Sequence, residues 1–118
     1  MKKIYTLIAA AFMASAAMAA DVAAYPGGDK AMQTFITENM KYPAPAIENG
    51  VEGVVTLRLT INPDGTIGAL KILRMVDPDL EQEAIRIAKK MPAWTPADKD
   101  GAPVESTVDV PIRFNLPE

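Results

Sequence analysis

The stretch Val55-Thr56-Leu57-Arg58-Leu59-Thr60-Ile61-Asn62-Pro63-Asp64-Gly65-Thr66 decides the fold. Val55, Leu57, Leu59 and Ile61 fall on one face of an extended chain and Thr56, Arg58 and Thr60 on the other, the period-two pattern of a half-buried strand. Asn62-Pro63-Asp64-Gly65 then turns the chain, with Pro63 setting φ at the second turn position and Gly65 accepting φ > 0 where the next strand begins. The return strand runs from Thr66 to about Arg74. Leu70 and Ile72 alternate in it, while Gly68 predicts a bulge that shifts the register of Ile67.

Downstream, Asp77 as N-cap and Pro78 at the first helical position open a helix, and Asp79, Glu81 and Glu83 suit its positive end. Leu80, Ala84, Ile87, Ala88 and Met91 form its buried stripe, and Pro92 stops it. A loop from Ala93 to about Pro103 leads to the last strand, in which Val108, Val110, Ile112, Phe114 and Leu116 alternate with Asp109, Pro111, Arg113 and Asn115. Upstream, Tyr25-Pro26-Gly27-Gly28-Asp29 bends the chain, and Asp29 is the expected cap of a helix with Met32, Phe35, Ile36 and Met40 on its apolar face. Tyr42-Pro43-Ala44-Pro45 breaks that helix, and Ala46 to Asn49 adds one turn that ends at Gly50 in a left-handed cap.

Helix, strand, strand, helix, strand is an α+β order. Each strand offers one apolar face, so the simplest packing is a three-stranded antiparallel sheet with two helices packed on one face. The helical crossover returns the last strand beside the first, giving sheet order two, one, three. The last strand is then an edge. Pro111 agrees, because proline in a central strand forfeits a ladder hydrogen bond.

The 118 residues contain no His and no Cys. Disulfides, Cys/His zinc sites, a histidine general base and a Ser-His or Cys-His nucleophile pair are all excluded. Asp77, Asp79, Glu81 and Glu83 lack the calcium-loop consensus and are read as helix-end chemistry. Trp94, the sole tryptophan, is read as a core plug. Arg58, Lys71, Asp109 and Arg113 are read as a solvated outer face. No catalytic residue, metal, cofactor or small-molecule substrate is expected.

The first residues read as an address. Lys2 and Lys3 precede an apolar run from Ile4 to about Met13, and Ala17-Met18-Ala19 offers a signal-peptidase site, so residues 1–19 are assigned as a signal peptide and 20–118 as one domain. The apolar run is shorter than the ~20 residues that span a bilayer, which disfavours an uncleaved inner-membrane anchor. The expected location is the periplasm. Loss of Lys2 and Lys3 leaves 10 of the 12 basic residues against 15 acidic ones, a net charge of −5, which argues against nucleic acid as a partner.

Several short pieces carry a family resemblance. These are Tyr42-Pro43, Gly50-Val51-Glu52-Gly53-Val54-Val55, Pro63-Asp64-Gly65, Met91-Pro92-Ala93-Trp94-Thr95-Pro96 and Val110-Pro111-Ile112-Arg113-Phe114. In order and spacing the chain resembles the TonB C-terminal domain from about Tyr25 to Leu116, and its Tyr-Pro-Gly-Gly opening is similar to Bacteroidetes-type versions. The resemblance implies a periplasmic domain whose edge strand pairs with the TonB box of outer-membrane transporters. On this chain that edge is Thr107, Val108, Asp109, Val110, Pro111, Ile112, Arg113, Phe114 and Asn115. Full transducers of the family carry a membrane anchor with a functional histidine and a Pro-rich span, and neither is found in this sequence. The expectation is a stand-alone binding module. The rival expectation is a structural or envelope-binding domain that forms a homodimer through the same edge.

Overall fold

The computed structural model describes residues 22–117; the leader assigned to 1–19 lies outside them. The elements are α1 (Gly28–Asn39), α2 (Ala44–Glu48), β1 (Gly53–Ile61), β2 (Ile67–Arg74), α3 (Pro78–Lys89), β3 (Ala97–Lys99), β4 (Ala102–Val104) and β5 (Ser106–Phe114). The main sheet is antiparallel with order β2-β1-β5, which is the topology expected from sequence. Val55, Leu57, Leu59 and Ile61 of β1 are fully buried, as are Leu80, Ala84, Ile87 and Ala88 of α3. Met32, Ile36, Ala46, Val110, Ile112 and Phe114 complete one core, while Arg58, Lys71, Asp109 and Arg113 are exposed on the opposite face of the sheet. Each fully buried aliphatic side chain contributes roughly 1.5–3 kcal/mol, so the alternation of β1 is the largest single source of cohesion.

The hairpin turn is held as its sequence requires. Gly65 has φ 90°, its N–H donates to Asn62 O at 2.8 Å, and Asp64 Oδ1 accepts from the N–H and hydroxyl of Thr66. Those two bonds keep the Asp64 carboxyl below its usual range. In β2 the pairing steps from Thr60↔Ala69 to Ile61↔Ile67, skipping Gly68, so the bulge falls where glycine predicted it. A second irregularity passes over Leu73 between Thr56↔Arg74 and Leu57↔Ile72.

Several expectations are corrected. The N-cap of α1 is Gly27, without a side-chain cap; Gly27 and Gly28 both take positive φ, and Asp29 lies inside the first turn. Glycine's freedom starts the helix two residues too early for Asp29 to cap it. The second helical piece begins at Ala44 instead of Ala46, because Pro45 sits in a first turn that needs no N–H from it. Gly50 ends that piece at φ 66° as expected. The segment read as a loop from Ala93 to Pro103 contains the β3–β4 hairpin, whose two-residue turn Asp100-Gly101 has φ 53° and 84°. That Asp-Gly pair is a type I′ signal, visible in the sequence itself. Finally, β5 ends at Phe114. Asn115 and Leu116 lie beyond it, where Leu116 N–H donates to Glu52 Oε2 at 2.6 Å.

Glu83 is not a helix-end charge. Its side chain is buried, and Oε2 accepts the Lys41 N–H at 2.6 Å and Arg86 Nη2 at 2.7 Å, while Oε1 accepts Arg86 Nε at 2.7 Å. Arg86 Nη2 also donates to Asn39 O at 2.6 Å. Burial alone would push Glu83 up, but the hydrogen bonds from Arg86 and from the Lys41 N–H, with the nearby charges, hold it below its ordinary value. This knot fastens the α1–α2 junction to α3.

Candidate functional site

The two outer strands of the sheet are unequal. β2 is interrupted twice, at Gly68 and Leu73, and such bulges twist an edge away from regular pairing. β5 pairs with β1 without a break from Ile61↔Ser106 to Gly53↔Phe114, and its other side has no partner strand among the described residues. The ladder passes straight through Thr56↔Pro111. A residue without an N–H permits this only where its nitrogen points away from β1.

That orientation sorts the residues expected at the edge. Thr107, Asp109, Pro111 and Arg113 share the outward backbone direction, and their side chains are exposed on the solvent face. The open side therefore presents N–H and C=O groups from Thr107, Asp109 and Arg113, but only a C=O from Pro111. Val108, Val110, Ile112 and Phe114 use their backbone on β1; the last three are buried and Val108 is half-buried. Asn115 lies outside the strand. On the solvent face Arg58 makes a two-pronged pair with Asp109, Nε to Oδ1 at 2.8 Å and Nη2 to Oδ2 at 3.2 Å. The hydrogen bond from Arg58 holds the Asp109 carboxyl below its usual range.

Sequence reasoning missed what flanks this edge. Beside Thr107–Val110 lies a cleft of about 480 Å³ whose far wall is the segment from Val22 to Tyr25. Two backbone bonds pin that segment to the chain after α3, Ala24 N–H to Thr95 O at 2.9 Å and Thr95 N–H to Ala24 O at 2.8 Å. Tyr25, Met32 and Trp94 line the cleft and are nearly buried, and the rings of Tyr25 and Trp94 meet edge to face at 5.5 Å. Burial pushes the Tyr25 hydroxyl up in pKa. Trp94 is thus the core residue that the sequence suggested and also part of a cleft wall. Its Nε1–H is buried with no hydrogen-bond partner among the described residues.

Among the described residues no group of three or more His, Cys, Asp or Glu could hold a metal. Asp77 accepts the N–H groups of Asp79 and Leu80, and Glu81 accepts that of Val76, so those acids serve the start of α3. No helix of the described residues is long and apolar enough to cross a membrane.

The model for the Gram-negative bacterial TonB protein C-terminal matches residues 38–116, from the end of α1 past the end of β5. The chain belongs to this family. Two solution structures of the TonB C-terminal domain of Helicobacter pylori are similar to it. Against the shorter one the identity is 26% and the TM-score 0.57, over 75% of this chain and 94% of that one. Against the longer one the identity is 26% and the TM-score 0.55, over 74% and 78% respectively. No curated protein matches the chain. The TonB C-terminal family is a protein-interaction domain associated with TonB-dependent transport. Its match contains the whole β5 edge, whereas Val22–Tyr25 and Met32 of the cleft lie before the matched residues.

Proposed function

We propose that this protein is a periplasmic binding module that captures an extended segment, of the TonB-box type, from an outer-membrane transporter by adding it as a strand to β5. The observation that carries the reading is the one-sided β5 ladder, unbroken over its whole length and longer than any regular stretch of β2. Backbone groups left open on such an edge are satisfied by a guest strand whatever its side chains, so affinity comes from the main chain and selectivity from what flanks it.

Self-association is the competing use of the same edge. An antiparallel pairing of β5 with its twin would meet Pro111 twice, once from each copy, and lose a donor each time. That asymmetry favours a foreign strand. Titration of the isotopically labelled protein with peptides that contain TonB boxes tests the reading. The Thr107, Asp109 and Arg113 amides should shift first, since they face the open side; no shift at millimolar peptide refutes it. Sedimentation without peptide separates the rival, because a tight dimer that occupies β5 would leave no edge for a guest.

A further inference from the structure

We infer that the captured segment is chosen by one apolar side chain, which enters the cleft between β5 and Val22–Tyr25 and rests on Tyr25, Met32 and Trp94. The inference rests on the strand-addition reading and specifies its selectivity. A guest strand runs about 4.8 Å from its neighbour, so a segment paired with Thr107–Val110 lies in the space that the cleft occupies. Its side chains alternate in direction, and those on the inner face of the sheet follow Val108 and Val110 toward the three nearly buried residues. The room is sufficient. An apolar cavity of about 150 Å³ holds benzene, and this cleft measures about 480 Å³.

The chemistry of the walls selects the occupant. The inner surface is formed mainly by two aromatic rings and a thioether, which gain from covering by an apolar side chain. The polar groups of those rings, the Tyr25 hydroxyl and the Trp94 Nε1–H that has no partner among the described residues, carry no positive charge to hold an acid. At the mouth stand Asp29 and Asp109, and the one cation among the described residues that line the cleft, Arg58, is already held by Asp109. An acidic guest side chain at this position meets like charge and leaves apolar surface wet. Val22–Tyr25 and Met32 precede the residues matched by the family model, whereas Trp94, Val108 and Val110 lie within them.

Trp94 is the only tryptophan in the chain, so its emission reports what enters the cleft. The probes are synthetic octapeptides of alternating threonine and valine, with leucine, phenylalanine, alanine or aspartate at one central valine position. Binding is followed both by Trp94 emission and by the β5 amides. The leucine and phenylalanine peptides should bind about tenfold or more tighter than the aspartate peptide and shift the emission. Met32→Ala deepens the floor and should move the preference from leucine toward phenylalanine. If all four peptides shift the Thr107 and Asp109 amides equally while Trp94 emission stays fixed, the cleft selects nothing and the inference is wrong. An order of affinities untouched by Met32→Ala also overturns it. If no peptide moves any β5 amide, strand addition itself fails and the inference falls with it.

Discussion

Replacing Gly65 by alanine tests whether the turn and the cleft are built as one unit. Gly65 is buried at φ 90°, and an added Cβ would lie 2.1 Å from Trp94 O and 3.3 Å from Trp94 C and N. The obstacle is backbone, so no side-chain rotation relieves it; the chain at Trp94 has to retreat by more than an ångström. That retreat breaks the Trp94 N–H to Gly65 O bond, now 2.8 Å, and loosens the packing of the indole. A left-handed conformation costs a non-glycine residue about 1–2 kcal/mol. The lost hydrogen bond adds about 1 kcal/mol, and imperfect repacking around Trp94 about 1–2 kcal/mol more. The sum is roughly 4 kcal/mol, a large part of the ~5–15 kcal/mol that stabilises a typical domain.

Gly50→Ala supplies the control, because Gly50 also has positive φ, 66°, but nothing lies within 4 Å of the place its Cβ would take. It should lose only the conformational part, about 1 kcal/mol. With a urea slope of about 1 kcal/mol per molar, the two unfolding midpoints should differ by roughly 3 M. Trp94 emission is the natural probe. In the folded Gly65→Ala protein the emission should already differ from the parent before any denaturant is added, since the indole has moved. Equal midpoints for the two variants would refute the close approach of the hairpin to Trp94, and with it the account of how the cleft is held.

Three further outcomes are expected. Asp77→Ala strands the N–H groups of Asp79 and Leu80 and should cost about 1–2 kcal/mol by equilibrium unfolding. Glu83 lies below its ordinary 4.5 in the folded chain, so its stabilising contribution is complete above that value and drains away as pH falls through the lower folded value. Glu83→Gln should therefore lower stability at neutral pH by about 2 kcal/mol, less than a fully buried pair because Arg86 is partly exposed, and flatten the acid limb of the pH–stability curve. Pro111→Val restores an N–H on the open side of β5. It should tighten guest peptides about fivefold, as one added hydrogen bond does, and raise self-association in sedimentation; an unchanged affinity would mean that the nitrogen of residue 111 does not face the guest.

The parts of this fold that are legible in the sequence are those with a local cause. The alternation of Val55 to Ile61, the Asn62–Gly65 turn, the bulge at Gly68 and the Asp77-Pro78 helix start each follow from a few adjacent residues. β3 and β4 escape because three-residue strands give alternation no room, although Asp100-Gly101 marks their turn. Glu83 passes for a helix-end charge even though it stands three residues after Leu80 and four before Ile87, a position where the stripe calls for an apolar residue. An acid placed there signals a buried partner. The edge itself is foreseeable from Pro111. The cleft is not: Tyr25 and Met32, Trp94, and Val108 come from three separate parts of the chain, and no periodicity connects those parts.

The register of β5 against β1 also bears on how the molecule is made. β1 joins its first neighbour through a short turn, but its second neighbour, Ser106–Phe114, follows only after β2, α3, β3 and β4. Contacts so distant in sequence form late, because a long loop must close before they give any return. Until then β1, the strand with the most buried side chains in the finished fold, has one side bare and is itself the sticky margin of the sheet. A chain interrupted anywhere before β5 would offer that hydrophobic margin to other proteins, and the regular, proline-marked edge would not yet exist. The arrival of β5 therefore does two things at once: it seals a hazardous strand and creates the surface through which the finished protein can recognise a partner.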